Sequence, residues 1–199
     1  SILTKIRVMF GKRLKAADYE QLVQMHSVAE VASYLKNSTH YGPALASIDE
    51  NTVHRGYLES LLRKERFTRY MRLIRYDFSQ ETDFYRFVVI RGEVEELLTA
   101  VRLLRSGASL DLLFTLPAYL ERYASFPIRK LATVRSYDDL LAVIRRTPYY
   151  KVLELFRPVG NEPVNILACE TALETYYYRT ILSLIARQFH GAPRQELES

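Results

Sequence analysis

Apolar side chains recur along most of this chain at intervals of three and four residues, which is the period of an amphipathic α-helix. The pattern predicts helices over residues 2–14, 17–25, 28–37, 53–76, 84–106, 137–146 and 164–189. A helix over residues 110–123 is weaker, because Pro117 interrupts it. Glycine and proline at 39–43 and 158–163 predict breaks between helices. The sequence therefore predicts an all-α protein.

Two of the predicted helices begin with the same capping pattern. Ser27 stands three residues before Glu30, and Ser136 stands three residues before Asp139. In this pattern the serine hydroxyl accepts the N–H of the acidic residue, and the acidic side chain accepts the N–H of the serine. Both serines are therefore predicted N-caps.

Two helices show apolar faces that predict how they pack. The first helix has one face that we expect to be buried, formed by Leu3, Ile6, Phe10 and Leu14. The helix over 53–76, which Asn51 or Thr52 is placed to cap, has two apolar faces on nearly opposite sides. These faces are Leu58, Leu61 and Leu62 on one side and Phe67, Tyr70, Met71 and Ile74 on the other. The helix therefore either bends near Glu65 or packs its two halves against different neighbours.

The helix over 53–76 also carries the net charge of the chain. It holds seven basic residues against two acidic ones, a difference of +5, and the formal net charge of all 199 residues is +5 as well. The remaining residues balance to zero, so the alkaline pI describes one helix. The basic residues are Arg55, Arg63, Lys64, Arg66, Arg69, Arg72 and Arg75.

A charged face in solvent is the simplest interpretation of this helix. Glu65 and Arg69 are four residues apart and can pair, but an exposed pair contributes only a few tenths of a kcal/mol. The arginines outnumber the local acids, however, and planar guanidinium groups favour carboxylate or phosphate partners. We therefore predict a partner-binding surface in which Arg69 and Arg72 are best placed, formed by Arg63, Arg66, Arg69 and Arg72.

Part of the sequence repeats. The segment 27–36 is similar to 136–145, 109 positions later, and apolar positions of the basic helix recur in the last helix. The second copy lacks the charge, since Thr180, Ser183 and Ala186 occupy the positions of the arginines at 69, 72 and 75. We predict a first helical repeat over 1–108, a second over 109–190 and a polar tail over 191–199.

No catalytic, cofactor-binding or metal-binding constellation is predicted. The four histidines are scattered, and the common glycine-rich and nucleophile motifs do not occur. Glu93, Glu95 and Glu96 are expected to form surface pairs with nearby arginines. The single cysteine, Cys169, is expected to be a small buried residue. The tyrosines at 176–178 are expected to be core and boundary packing rather than a stacking platform, because successive helical residues point about 100° apart.

Cysteine content and hydropathy suggest a cellular location. One cysteine permits no internal disulfide, which fits a reducing cytoplasm. The sequence has no run of 18 apolar residues and no signal-peptide layout, so direct membrane insertion is not expected.

Several stretches together resemble the C (or d, AC39-like) subunit family of V-type and archaeal-type rotary ATPases. Thr39-His40-Tyr41-Gly42 is similar to the Thr-x-Tyr-Gly element of the family, and Thr147-Pro148-Tyr149-Tyr150 to its second occurrence. The most specific stretch, residues 93–97, resembles the Asp-Ile-Glu-Asn-Leu segment of the family. Here Glu93 replaces the aspartate and Glu96 the asparagine.

The resemblance implies a funnel-like architecture of three similar helical lobes. Two lobes are visible here, so we expect a fragment or a truncated form. The implied function is a non-catalytic central-stalk subunit that couples the rotating shaft to the membrane rotor ring for proton or sodium transport. Its partners would be the shaft subunits and the ring, with no cofactor, small-molecule substrate or nucleic acid. Its location would be cytoplasmic, peripheral to the cell membrane.

A helical nucleic-acid-binding protein is the alternative hypothesis. The same arginines would contact phosphates, and the affinity would fall steeply as the salt concentration rises. A chain that is neutral outside one helix makes this hypothesis the weaker one.

Overall fold

The computed structural model describes residues 2–74, 83–106, 117–160 and 162–188. These ranges contain eight α-helices, several 3₁₀ turns and no strand, so the predicted all-α class is confirmed. The chain divides into two compact units, Ser1–Gln80 and Glu81–Ser199. The helices are α1 (Ile2–Gly11), α2 (Ala16–Val23), α3 (Val28–Ser38), α4 (Arg55–Ile74), α5 (Phe87–Ser106), α6 (Tyr137–Ile144), α7 (Pro148–Leu153) and α8 (Ile166–Gln188).

The first unit begins with α1, whose Phe10 is less buried than the apolar pattern predicted. Phe10 is 63% exposed, and the guanidinium of Arg13 lies 3.4 Å from the centre of its ring. The prediction that Phe10 is buried was therefore wrong: the cation over its face covers part of the ring instead. Leu14, beyond the end of the helix, packs against the core of the unit.

Helix α3 has the predicted N-cap, with a change in its second hydrogen bond. The Ser27 hydroxyl accepts the N–H of Glu30 at 3.1 Å. The Glu30 carboxylate accepts the N–H of His26 at 3.0 Å rather than that of Ser27. This bond is the main reason that the pKa of Glu30 lies below its usual range. The first bond satisfies a backbone donor that the first helical turn leaves free, and the second ties the residue before the N-cap to the helix.

The break after α3 is built by a threonine and a glycine. The Thr39 hydroxyl donates to the Leu35 carbonyl at 2.6 Å and accepts the Tyr41 N–H at 3.2 Å. A Cβ atom on Gly42 would lie 2.7 Å from the Lys36 carbonyl oxygen, so only glycine fits this close approach. A 3₁₀ turn, Gly42–Leu45, follows and buries Leu45 completely.

Helix α4 begins later than its sequence suggested. The imidazole Nδ1 of His54 accepts the N–H of Gly56 at 3.1 Å, whereas Asn51 and Thr52 lie in the preceding turn. The predicted caps at 51 and 52 were therefore wrong, because the helical backbone starts only at Arg55.

The two apolar faces of α4 serve different neighbours. Its first half contributes Leu58, Leu61 and Leu62 to the core of the unit, which centres on α3 and the 3₁₀ turn. Its second half buries Phe67 and lines a groove together with residues of α1. This arrangement favours the second of the two predicted alternatives over a bend. The core consists of Ala32, Leu35, Leu45, Ile48 and Leu58.

The second unit is organised around one long helix. Helix α5 packs along α8 and also contacts α6 and the 3₁₀ turn Ile128–Thr133. Gly92 permits close packing near the start of α5, since a Cβ atom there would lie 2.9 Å from a methyl group of Leu120. The apolar residues that α5 buries are Val89, Val94, Leu97, Leu98, Ala100 and Val101.

Helix α6 has the complete capping box that its sequence predicted. The Ser136 hydroxyl accepts the Asp139 N–H at 3.1 Å, and the Asp139 carboxylate accepts the Ser136 N–H at 2.9 Å. The weaker prediction of a helix over 110–123 was wrong in its described part, since residues 118–123 form hydrogen-bonded turns after Pro117. Residues 110–116 of that prediction, and the tail over 191–199, lie outside the described residues.

The order of elements is similar in the two parts of the chain that were predicted to repeat. Each part contains a serine-capped helix and, later, a long helix, but the segments between them differ, since Tyr41 precedes a 3₁₀ turn whereas Tyr150 lies within α7. Helix α5, which the predicted boundary at 108 places in the first repeat, packs within the second compact unit. The compact units are defined by packing, which does not test whether the two parts of the sequence are copies of one another. The repeat and its boundaries therefore stay predictions.

Candidate partner-binding surface

The basic side chains of α4 do not all have the same surroundings. Arg55 binds Glu59 at 2.8 Å, and Arg63 approaches the same carboxylate at 3.7 Å. Arg63 remains 47% exposed at its side chain. Both contacts are pairs of residues four apart on a helix surface, which salt screens strongly. The Glu59 carboxylate is shared, so it offsets only part of the charge of Arg63.

Arg69 is held within the first unit. Its Nε lies 2.6 Å from the Glu65 carboxylate, and its Nη2 donates to the His40 carbonyl at 3.1 Å. Its guanidinium carbon lies 5.3 Å from the centre of the Tyr41 ring, and only 26% of the side chain is exposed. Arg69 thus connects α4 to the break after α3. Its predicted role as a free contact residue is less well supported by this geometry than the roles of its neighbours.

Arg66 and Arg72 are both exposed. Neither of them forms an ion pair with a residue that the structure describes. With Arg63 they are the three exposed arginines of the predicted surface. Of the four arginines in the predicted surface, these three are therefore available to a partner.

A groove of about 760 Å³ lies beside Arg72. Helix α1 supplies one wall and the second half of α4 the other, and His40 and Pro43 contribute from the break between α3 and α4. Its charged lining residues are Lys12, Glu65, Arg69 and Arg72, and Glu65 is already paired with Arg69. Lys12 and Arg72 therefore leave a positive excess over an apolar lining formed by Val8, Met9, Pro43 and Leu73.

His40 also lines this groove, and its pKa departs from the usual value. Burial lowers its pKa from the usual 6.5, and the positive charge of Arg69 lowers it further. Glu65 and Asp18 act in the opposite direction, more weakly. The neutral imidazole is thus favoured at neutral pH, so His40 adds no charge to the groove there.

Sequence reasoning located the arginines but missed the groove. Its α1 wall includes Val8, which is 53% exposed, and Lys12, and neither residue belonged to the predicted surface. The pairing of residues 8–12 with 65–73 depends on the tertiary contact between α1 and α4, for which periodicity within each helix gives no signal.

The acidic stretch on α5 differs from its prediction. Glu95 forms the expected pair, at 3.1 Å from Arg91, but Glu93 is 3% exposed. One oxygen of Glu93 accepts the hydroxyl of Tyr149 at 2.6 Å, and the other accepts the backbone N–H of Ser125. The prediction of a surface pair at Glu93 was therefore wrong: the residue cross-links α5, α7 and the turn after residue 123. Burial and the negative charge of Glu93 raise the pKa of Tyr149.

Two expectations for α8 are confirmed. Cys169 is fully buried, and its Sγ lies 3.6 Å from the Tyr137 hydroxyl. Burial raises the pKa of this thiol, so it lacks the thiolate character of a nucleophile. Tyr177 is buried while Tyr178 is 59% exposed, and their rings are inclined by 68°. The three tyrosines therefore do not form a flat stacking platform.

The described residues contain no group of three or more His, Cys, Asp and Glu side chains that could hold a metal ion. Among the helices in the described ranges, none is long and apolar enough to cross a membrane. The exposed arginines of α4 and the groove beside Arg72 form the candidate functional site. Cations around an apolar groove suit an acidic protein surface that also carries apolar side chains.

Comparison with known proteins identifies the family. The profile of the family described as ATP synthase (C/AC39) subunit matches residues 2–199. The chain belongs to this family. The match covers almost the full sequence, so the resemblance of the short motifs extends to the rest of the chain.

The C/AC39 family assignment agrees with a curated relative. The chain is 42% identical over 53 residues to the C subunit of the A-type ATP synthase from Methanosphaera stadtmanae. Those residues make up 27% of this chain and 14% of the relative, so the chain matches only a small part of that protein. No solved structure matches the chain.

Proposed function

We propose that this chain acts as a non-catalytic central-stalk component of a V/A-type rotary ATPase. In this role it couples the rotating shaft to the membrane rotor ring during proton or sodium transport. The observation that carries the proposal is the family match over residues 2–199. The proposal requires no cofactor and no small-molecule substrate. It places the chain in the cytoplasm, peripheral to the membrane through the complex.

The partner-binding surface is assigned to the first unit. Arg63, Arg66 and Arg72 would pair with acidic residues of a shaft subunit, and apolar side chains of that subunit would enter the groove beside Arg72. Arg69 would contribute by holding the break after α3 against α4, since its guanidinium already binds Glu65 and the His40 carbonyl. A combined apolar and charged contact gives both affinity and a fixed orientation, which torque transmission needs.

Charge reversal tests this assignment. The purified chain and a variant with Arg66→Glu and Arg72→Glu are titrated with the shaft subunits of the same ATPase, and binding is followed by biolayer interferometry. Two lost attractions and two new repulsions should raise the Kd by about tenfold or more, which corresponds to about 1.4 kcal/mol. The affinity of the unaltered chain should fall as salt rises, and the variant should show a weaker salt dependence.

The matched control carries Arg145→Glu and Arg146→Glu, two exposed arginines of the second unit, and it has the same net charge as the test variant. It should bind like the unaltered chain. Equal weakening in both variants would show that only net charge matters and would remove the role given to α4. Binding to RNA or DNA at low salt, lost in the α4 variant, would instead support the nucleic-acid alternative.

A further inference from the structure

Helix α8 carries its charges very unevenly. Its two acidic residues both face α5: Glu174 binds Arg91 at 2.8 Å, and Glu170 binds Arg102 at 2.9 Å. Its two basic residues, Arg179 and Arg187, are exposed. The packing of the second unit thus pairs both negative charges of α8 with arginines of α5, and Arg179 is the charge of α8 that lies beside its exposed apolar residues.

The outer side of α8 is also unusually apolar for a surface that faces water. Leu167, Tyr178 and Leu182 are 74%, 59% and 50% exposed. Between them stand the exposed threonines Thr171 and Thr175, where a solvated helix normally carries charged residues. The exposed face of α4 provides the contrast within the same chain, because charged side chains dominate it. A row of large apolar side chains with uncharged neighbours is typical of an interaction surface.

A groove runs beside this face. It has a volume of about 710 Å³ and lies between α8 and the segment formed by α7 and the 3₁₀ turn Glu154–Phe156. Leu155, 80% exposed, stands on one wall, and Leu167 stands on the other. Ala168 and Ala172 lie between them and allow a close approach. The shape of the groove therefore suits an elongated ligand with an apolar surface.

The charge at the groove has one sign. Lys151 and Arg179 are its charged lining residues. The nearest acidic residue of α7 and its extension, Glu154, accepts the Tyr150 hydroxyl at 2.7 Å. Leu167 and Arg179 are twelve residues apart, which corresponds to about 18 Å along the helix axis, or somewhat more than three turns. An occupant should therefore be a helix of similar length with acidic side chains beside its apolar stripe.

We propose that the groove between α7 and α8 binds one amphipathic helix of a partner protein. Aliphatic residues on one face of that helix would contact Leu155, Leu167 and the alanines, and flanking Asp or Glu residues would pair with Lys151 and Arg179. A second copy of this chain that used its own α8 would bring a positive Arg179, not acidic side chains, to Lys151 and Arg179, which disfavours self-association through this face. The site is distinct from the α4 surface and does not rest on the proposed function.

The test is a selection against the full chain. A display library of 16-residue helical peptides, with leucine fixed at the positions of one face and random residues beside them, is selected for binding. The peptides recovered should be enriched in Asp and Glu over the starting library. Individual synthetic peptides are then measured by fluorescence anisotropy, and replacement of their acidic residues by lysine should weaken binding by about tenfold or more.

Variants of the chain locate the binding site. Leu155→Asp with Leu167→Asp should abolish peptide binding, and Lys151→Glu with Arg179→Glu should reverse the preference from acidic to basic peptides, because both lining cations become anions. The matched control is Tyr19→Asp with Val23→Asp, two exposed apolar residues of the first unit, which should bind the peptides normally. Circular dichroism checks that each variant keeps its helical content.

Three results would overturn the proposal. They are the absence of binders, enrichment of basic peptides, and binding that the groove variants leave unchanged. Sedimentation equilibrium of the chain alone provides a further check. A dimer that Leu155→Asp with Leu167→Asp dissociates would show that the occupant is a second copy rather than a partner helix.

Discussion

At the scale of single residues, Glu93 shows how one side chain can be mistaken for surface charge. It stands in a helical segment with three glutamates, of which Glu95 does form the expected pair with Arg91, a half-buried one. Glu93 instead points into the second unit, where its carboxyl oxygens accept one hydroxyl and one backbone N–H. Nothing in the local sequence separates the two residues, because the difference depends on the distant Ser125 and Tyr149.

Removal of Glu93 should therefore destabilise the chain far more than removal of Glu95. In the variant Glu93→Ala, the Ser125 N–H and the Tyr149 hydroxyl lose their acceptors inside the protein. We expect a loss of about 2–3 kcal/mol, mainly from the Tyr149 hydroxyl, since a buried polar group without a partner costs about 1–3 kcal/mol, whereas the exposed Ser125 can bind water. Urea unfolding followed by circular dichroism measures the change. Glu95→Ala is the control and should cost at most about 1 kcal/mol. Similar losses in the two variants would contradict the cross-linking role of Glu93.

His40 should make the stability of the first unit depend on pH. Its pKa in the folded chain lies below 6.5 because of burial and Arg69, so the unfolded chain binds the proton more readily. Stability should therefore be insensitive to His40 above about pH 7 and should decrease as the pH falls through the unfolded pKa towards the folded one. The free energy of unfolding, measured between about pH 8 and pH 5, checks the direction.

His40→Asn provides the comparison for this pH profile. The difference in stability between the unaltered chain and the variant should change over this interval, with the unaltered chain losing more as the pH falls. Carboxylates with lowered pKa values, such as those of Asp18 and Asp139, lose their contribution only at lower pH. Parallel profiles in the two proteins would show that His40 is not the group responsible.

At the scale of elements, local sequence predicted the helices well where the signal was itself local. The capping box of α6 needs only Ser136 and Asp139, which are three residues apart, and the structure shows both of its hydrogen bonds. The prediction of where α4 starts was wrong because the start depends on the turn that precedes the helix. Asn51 and Thr52 are good cap residues, but a turn that begins at Asp49 occupies them, and His54 takes the position at the helix start.

For the candidate surface, too, features within one segment could be predicted and contacts between distant segments could not. Charge counting along α4 identified its arginines, because their excess over acids is a property of one segment. The sequence could not separate Arg69, which contacts the His40 carbonyl and Tyr41, from the exposed Arg72 three residues later. The α1 wall of the groove depends on contacts between segments more than fifty residues apart. The charge of the surface was therefore predictable, whereas packing decided which charges remain available.

At the scale of the whole molecule, packing and the predicted repeat divide the chain at different points. The compact units meet at residue 80, whereas the predicted repeat boundary lies at 108. Helix α5 lies between these two positions. It buries Val94, Leu97 and Val101 completely within the second unit, and its Arg91 and Arg102 pair with α8. The second unit therefore depends on α5 for much of its core.

Fragments cut at the two positions should behave differently for this reason. A fragment of residues 81–199 retains α5, and we expect it to unfold cooperatively in urea with a helical circular dichroism spectrum. A fragment of residues 109–199 lacks α5 and exposes the inner face of α8. Each large side chain that loses its burial costs about 1.5–3 kcal/mol. The sum for several residues is comparable to the whole stability of a domain, about 5–15 kcal/mol. The shorter fragment should therefore show no cooperative transition.

The complementary fragments, 1–80 and 1–108, test whether the first unit folds without α5. The first unit has its own core around Leu35 and Leu45, which is formed by residues between 14 and 62. The urea midpoint of the first unit should therefore be the same in both fragments, even though 1–108 is longer. Cooperative folding of 109–199, or a loss of folding in 1–80 that 1–108 restores, would place the physical boundary at the end of the predicted repeat instead.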